Sequence, residues 1–305
     1  MSGANVPNHY GTEFARNIDL LLQQKDSRLS GKVNNGTHSG EKASPVDQIG
    51  KVAMTDVTTR FADMPRTDAP ASRRWVFPIS SDLNQLLDTF DALKLLTDPK
   101  SKYVETAVAA GNRRKDRHII DAFFADAKTG VNAGSTESFG TTLTTASGQN
   151  VSVDLGGAAS GLNVRKLREG KRRAMECDID LDVEPLFCAI TSKEHDALLG
   201  EIQVVSTDFN DQPVLTDGKV TRFLGINFVH TELVGTTLGT DDQAGSSRQV
   251  PLWTPNGMHY GSWQTLVTDI AQRKDLQGLP WQAYVMMTGG ATRLEKERVI
   301  RIWCR

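Results

Sequence analysis

Few residues in this chain stand at spacings that could do chemistry, and each set stops short of a complete site. Cys188 and His195 lie close in sequence, on a predicted strand end and the helix after it. A thiol and an imidazole make a nucleophile–base pair only when they meet in space. Nothing in the sequence brings these two together, so Cys188 reads as a buried structural thiol. His9, His38, His118, His195, His230 and His259 include no HxxxH or HExxH spacing, so no zinc set is visible. Asp178, Asp180 and Asp182 alternate in CDIDLDVE, but the glycine turn and closing Glu of a calcium loop are missing; one face of an exposed strand explains them better. The glycines of Gly156-Gly157-Ala158-Ala159-Ser160-Gly161 precede a helix. A phosphate loop would continue with Lys and Ser or Thr, and here Leu162-Asn163 follow. No catalytic, cofactor or metal constellation emerges.

What remains is charge. Arg113, Arg114, Lys115 and Arg117 surround Asp116, and Arg165, Lys166, Arg168, Lys171, Arg172 and Arg173 crowd a second stretch. Such clusters can neutralise phosphates without reading sequence. A formal net charge of −2 argues against a dedicated nucleic-acid protein. Pairing between subunits is the favoured reading. Asp56, Asp63 and Asp68 are the acidic partners, and Arg73 and Arg74 are counted among the same assembly contacts. The 165–173 cluster would face either a lumen or a neighbouring subunit.

The elements that must hold these residues are organised around TDPKSKYVETAVAAGNRRKDRHIIDAFFADAKTGV, Thr97 to Val131. It reads as one helix, N-capped by Asp98 with Pro99 in the first turn, and stopped by Lys128, Thr129 and Gly130. At 1.5 Å per residue it would be roughly 45 Å long. Its charged middle should not lie inside one globule, because those groups would have to be desolvated. Before it, Phe14, Ile18, Leu21, Leu22 and Leu29 space an amphipathic helix over 11–29, and a Gly/Ser/Asn-rich linker with almost nothing to bury follows. Residues 46–80 read as two strands joined by a proline-rich connection, an arm to lie on a neighbouring molecule. SDLNQLLDTFDALKLL (81–96) reads as a helix capped by Ser81 or Asp82, with Leu83, Leu86, Leu87, Phe90, Leu93 and Leu96 on its buried side. Further on come a basic helix at 162–176, a buried strand in VEPLFCAIT, and a helix capped by Thr191 or Ser192. Strands follow in TRFLGINFVHTEL and QVPLWTP, then a helix in NGMHYGSWQTLVTDIAQR. The chain closes on a hairpin of PWQAYVMMTGG and KERVIRIWCR. The class is α+β.

Composition sets the outer bounds. The 305 residues allow one large or two modest domains. No apolar run approaches a membrane helix, and no secretion signal opens the chain. Cys177, Cys188 and Cys304 have no CxxC spacing and suit a reducing compartment.

Several short runs, taken in order, resemble the major capsid proteins of tailed bacteriophages. They are Arg73-Arg74-Trp75 before a strand, Asp98-Pro99-Lys100-Ser101-Lys102-Tyr103, and Arg113 and Asp116 ahead of Ile119-Ile120-Asp121-Ala122-Phe123. Thr129-Gly130 follows, then Gly290-Ala291-Thr292-Arg293 before a Val299–Ile302 strand and Cys304. The resemblance covers nearly the whole chain. It implies the Hong Kong 97-type (HK97-like) capsid fold, with an N-terminal arm (1–45) and an extended E-loop β-hairpin (46–80). A peripheral domain (81–150 and 271–305) would carry a spine helix at about 98–129, and an axial domain would span 151–270.

On this resemblance the chain would be a major capsid protein with no enzymatic activity and no cofactor. It would self-assemble into hexamers and pentamers of an icosahedral phage head enclosing double-stranded DNA. Its partners would be other copies of itself, a portal, a scaffold, a decoration protein and non-specifically packaged DNA, with no membrane. It would be assembled in the host bacterial cytoplasm and reside in the virion capsid. No long coiled-coil precursor is visible, and the start at Met1 is read against a cleaved one. The alternatives are an encapsulin-like compartment holding protein cargo, and a hydrolase whose site is scattered beyond recognition.

Overall fold

The computed structural model describes residues 23–56, 59–60, 66–87, 100–140, 149–155, 160–201, 218–236, 238–240 and 246–305. The early strands are β1 (Asn34–Thr37), β2 (Asp47–Ile49), β3 (Ala71–Trp75) and β4 (Ile79–Leu87). After helix α1 (Lys100–Phe124) come β5 (Ala127–Thr129), β6 (Ser135–Glu137) and β7 (Asn150–Val151), then helix α2 (Val164–Glu176), β8 (Leu186–Ile190) and helix α3 (Ser192–Leu199). The last strands are β9 (Arg222–Phe223), β10 (Ile226–His230), β11 (Leu238–Thr240), β12 (Ser246–Trp253), β13 (Met258–Gln272), β14 (Trp281–Arg293) and β15 (Val299–Cys304). Two compact units result. One comprises Met1–Asp26, Ser81–Asn112 and Leu266–Met287; the other comprises Ser27–Ser80, Arg113–Thr265 and Thr288–Arg305. Among the described residues no helix is long and apolar enough to cross a membrane.

The second unit is built on a seven-stranded sheet ordered β7-β15-β12-β8-β10-β9, with β11 on β12. LFCAI is an unbroken apolar run, and all five residues are buried, as a strand covered on both faces requires. It pairs in parallel with β10, Cys188 opposite Phe228, and antiparallel with β12. β12 runs antiparallel to β15, Val250 opposite Ile302. Helix α2 lies on this sheet, adding Leu167 and Ala174 to the cluster of Cys188, Leu252 and Ile302. Gly170 permits the approach, since a Cβ there would stand 2.8 Å from Leu252 Cδ2. The predicted basic helix, buried strand and Thr191-capped helix are therefore present; Thr191 and Glu194 form a reciprocal capping box.

Other expectations change. Residues 79–87 are strand, not the start of a helix, so Ser81 and Asp82 cap nothing; Phe90, Leu93 and Leu96 lie outside the described residues. NGMHYGSWQTLVTDIAQR is a short 3-10 turn followed by the fifteen residues of β13. Its β-branched Thr265, Val267, Thr268 and Ile270 favour extended backbone, and pairing with neighbours in the order β1-β13-β14-β4 decides the outcome. The two C-terminal strands are not one hairpin. β14 belongs to that sheet, while β15 lies between β7 and β12 in the seven-stranded one.

The N-terminal stretch also differs. The amphipathic segment up to residue 22 lies outside the described residues, and 23–29 is not helical. The linker expected to bury almost nothing contributes Leu29 and Val33 to a core with Ile119, Phe123 and Trp253. Its β1 pairs in parallel with β13, Asn34 opposite His259 and Thr37 opposite Ser262. The long helix ends at Phe124, and Asp98 and Pro99 lie outside the described residues. Lys128 and Thr129 belong to β5, and Gly130, at φ 85°, turns β5 into β6. Within the helix the charged middle is partly desolvated after all. Asp116 is fully buried, accepting from Ser27 Oγ (2.5 Å) and from the backbone N–H groups of Arg28 (3.0 Å) and Leu29 (3.2 Å).

Candidate assembly surface

The two strands expected over 46–80 exist as the antiparallel pair β2–β3, Asp47 opposite Arg73 and Ile49 opposite Ala71. They are not isolated, because β3 also pairs with β5, giving a sheet ordered β2-β3-β5-β6. The pair is pinched shut where it leaves the sheet. The Gly50 N–H donates to the Pro70 carbonyl at 2.6 Å, and a Cβ on Gly50 would stand 2.6 Å from Pro70 Cγ. Just before that pinch and beyond it the chain turns apolar side chains to solvent. Ile49 is 78 % exposed, Val52 53 % and Met54 102 %. Three large apolar groups open to water on one short stretch mark a surface built to be covered.

Arg73 and Arg74 serve their own unit. Arg73 forks onto Asp47 (Nη2 to Oδ2 2.8 Å) and lies 5.7 Å from the Trp75 ring, which Lys42 also covers. Arg74 is buried, paired with Glu137 and donating to the Leu294 carbonyl at 2.6 Å. Asp56 is exposed, Asp68 pairs with Arg66 at 2.9 Å, and Asp63 lies outside the described residues. On α1, Arg114 is exposed and Arg113 half-buried. Arg117 reaches the Leu233 carbonyl at 3.5 Å, and Lys115 sits 4.8 Å over the Tyr260 ring, its pKa lowered by burial.

The basic helix is equally divided. Lys166 is fully buried, donating to the carbonyls of Ser160 (2.7 Å) and Trp303 (2.8 Å), and burial lowers its pKa. Arg173 is buried against Asn150 and Glu169, and Lys171 donates to the Leu224 carbonyl at 2.9 Å. Arg172 is exposed but bound to Glu169 and Glu176. The hydrogen bonds from Arg172 and Arg173 hold the Glu169 carboxyl down to about 2. Arg165 and Arg168 are exposed. Half of this cluster's charge thus clamps the helix to its own sheet and offers little to an outside polyanion.

No nucleophilic pair forms. Cys188 is buried beside Cys304, and burial pushes both thiols up, Cys304 to about 12. His195 Nε2 accepts the Val220 N–H at 3.1 Å, and its ring packs edge-on against His230. The alternating aspartates are not a strand face. Asp178 (φ 59°) and its followers form turns, with the Asp182 N–H donating to Asp180 Oδ1 at 3.0 Å, and Asp178 pairs with Lys51. Among the described residues no group of three or more His, Cys, Asp and Glu could hold a metal ion.

For two organising residues, Asp116 and Arg293, the sequence shows the position within a short run but not the role. Asp116 hides inside a basic run, where its being the only acid is the available signal. Arg293 gives none, since its partners are all main-chain carbonyls: Phe123 and Ala125 at 2.9 Å each and Glu137 at 3.3 Å.

A family model described as phage capsid protein matches residues 6–305. A search among curated proteins returns no sequence match. Solved structures of similar fold include the capsid of the cyanophage P-SCSP1u (TM-score 0.74, 12 % identity, covering 100 % of this chain and 95 % of that one). The capsid asymmetric unit of the cyanophage Pam1 follows at TM-score 0.74 and 10 % identity, covering 99 % and 98 %. The acidic stable capsid of the Helicobacter pylori bacteriophage KHP30 has TM-score 0.73 and 10 % identity, covering 100 % and 98 %. At such identities these likenesses speak to the fold alone.

Proposed function

The chain belongs to the phage capsid protein family and is a major capsid protein of a phage head; we propose that its copies assemble as hexamers and pentamers of an icosahedral shell around double-stranded DNA. The observation that carries this reading is the exposed apolar stretch of Ile49, just before the Gly50–Pro70 pinch, and Val52 and Met54 beyond it. A lone subunit gains nothing by presenting these groups to water, whereas a neighbour covering them removes apolar area at about 25 cal/mol per Å². In this reading residues 1–45 are an arm, 46–80 an E-loop, 81–150 with 271–305 a peripheral domain, and 151–270 an axial domain. Arg165, Arg168 and Asp56, exposed in the single chain, face outward for contacts between copies or with packaged DNA. The shell subunit performs no catalysis. Portal, scaffold and decoration proteins are its further partners, and assembly takes place in the host cytoplasm.

The test is a deletion of residues 51–69. The ends left behind, Gly50 and Pro70, already touch, and joining them links β2 and β3 through a two-residue turn flanked by the Ile49–Ala71 pair. Cutting as far as 75 would remove buried Arg74 and confound the result. The shortened chain should unfold at the same denaturant midpoint as the full chain and form no shells, by light scattering and electron microscopy. Shells of normal size from it would refute the assignment of this loop to assembly.

A further inference from the structure

Strand β1 ends at Thr37, and the ring of the next residue, His38, meets that of His259, which stands opposite Asn34 at the start of the parallel β1–β13 pairing; the two Nε2 atoms are 2.8 Å apart. The His38 N–H donates to the Ser262 carbonyl at 2.9 Å, the last main-chain bond of that pairing. Trp263 covers His38, ring centroids 5.3 Å apart, and fixes the outgoing chain by donating from Nε1 to the Gly40 carbonyl at 2.7 Å. Glycines make the fit possible. A Cβ on Gly36 would stand 2.8 Å from His259 Cε1, and one on Gly261 2.6 Å from His38 Cδ2.

Two facing imidazoles suggest either a chelated ion or a shared proton, and the geometry chooses. The ring centroids are 5.1 Å apart for nitrogens only 2.8 Å apart, so the two Nε2 atoms point head-on at each other. An ion at about 2.0 Å from both nitrogens needs lone pairs that converge to one side. Head-on rings share a hydrogen instead. His259 Nδ1 is buried and has no hydrogen-bond partner among the described residues. Putting the shared proton on His259 leaves a bare lone pair there, whereas putting it on His38 leaves an N–H without an acceptor, so His259 is the donor.

We propose that the His38–His259 pair is an acid-sensitive latch that holds strand β1 on the edge of β13 when both rings are neutral and releases it when a proton is added. That proton has no site compatible with the closed state. The lone pair of His38 Nε2 is occupied by the hydrogen from His259, and the remaining site on His259 is buried without an acceptor. Two imidazolium rings in contact would repel.

Among the described residues no carboxylate compensates. Strand β1 and the Pro255–Gly257 turn carry no titratable group, and Glu41 is exposed. Of the nearby cations, Lys32 lies over Phe187, Lys42 over Trp75 and Lys115 over Tyr260. Burial pushes the Tyr260 phenol up, away from the acid range. Among the described residues, His38 is the ionisable group that acts on His259. Burial lowers the pKa of His38, and burial together with His38 holds His259 at about 4. Groups depressed in this way cost nothing above the ordinary 6.5; they withdraw stability as pH falls from there toward about 4.

The test is hydrogen exchange by mass spectrometry on the full chain between pH 7.5 and 4.5, each rate divided by its intrinsic value at that pH. Protection of the β1 amides and His38 should fall by about tenfold or more below pH 6, while β8 keeps its protection. The His259→Gln and His38→Gln variants, whose amides bond without titrating, should hold β1 protected at both ends of the range. Unchanged protection of β1 in the wild type overturns the latch, as does an equal fall in both variants or a parallel loss in β8. Should either variant misfold, imidazole pKa values from NMR of the wild type decide. Both rings titrating near 6.5 would contradict the closed pair.

Discussion

Arg293 closes the long helix at Phe123: its Nη1 donates to the Phe123 carbonyl at 2.9 Å and, at the same distance, to that of Ala125. The last carbonyls of a helix have no partner of their own and carry the negative end of its dipole. A cation from β14 supplies both needs, so the helix stops one turn before Lys128-Thr129-Gly130 and the chain is free to form β5. The guanidinium is nine-tenths buried and stacks 5.0 Å over Phe139; burial lowers its pKa to about 10.

Replacing Arg293 with Met should therefore leave these carbonyls buried and unpaired. We expect a loss of about 2–4 kcal/mol in urea unfolding of the soluble chain. Arg293→Lys should recover less than half, because one ammonium nitrogen cannot stand at the positions of both Nη1, on Phe123 and Ala125, and Nη2, on Glu137. A loss under about 0.5 kcal/mol for the Met variant would show that the helix end is held by something else.

Asp116 makes a matching prediction for the other end of the chain. With Ser27 and two backbone N–H groups on its carboxylate, Asp116→Ala should cost about 1–3 kcal/mol. It should also open residues 24–33 to limited proteolysis. Asp116→Asn keeps one acceptor and should lie between. Equal cleavage in all three chains would remove Asp116 from this role.

Gly290 sits where two backbones cross. A Cβ there would fall well inside contact with the Phe77 carbonyl oxygen, an atom that cannot swing aside. Gly290→Ala should cost more than about 2 kcal/mol, whereas Gly134→Ala, with nothing within 4 Å, should stay within about 0.5 kcal/mol. Thermal melts of the two variants side by side give the comparison, and equal melting temperatures would refute it.

Glu169 predicts an acid limb. Its carboxyl is held at about 2 by Arg172 and Arg173, below the ordinary 4.5. Its contribution is fully present above 4.5 and fades as pH falls toward 2. Glu169→Gln should lose less stability than the wild type between pH 4.5 and 2.5, measured by unfolding midpoints. This window lies below that of the His38–His259 pair, so the two effects separate.

How much was legible follows from where each signal lives. LFCAI, the helix capped by Thr191 and the basic helix are local patterns, and they appear as read. β13 and β4 were misread because their apolar spacing fits either period, and pairing with strands far off in sequence decided between them. The strand read as PWQAYVMMTGG runs on to Arg293 as β14, and within it Gly290 admits another backbone. Of the residues expected at contacts, Arg74, Lys166 and Arg173 are turned inward. A cation's sequence neighbours do not reveal that its partners are distant carbonyls. The His38–His259 meeting joins residues far apart in the chain and could not be read at all.

The most direct measurement is electron microscopy with native mass spectrometry of the full chain across a concentration series, with absorbance at 260 and 280 nm on the largest particles. The account predicts pentamer and hexamer rings or closed shells, and nucleic acid inside those shells. A monodisperse monomer at every concentration, with residues 49–54 equally exposed throughout, would contradict it.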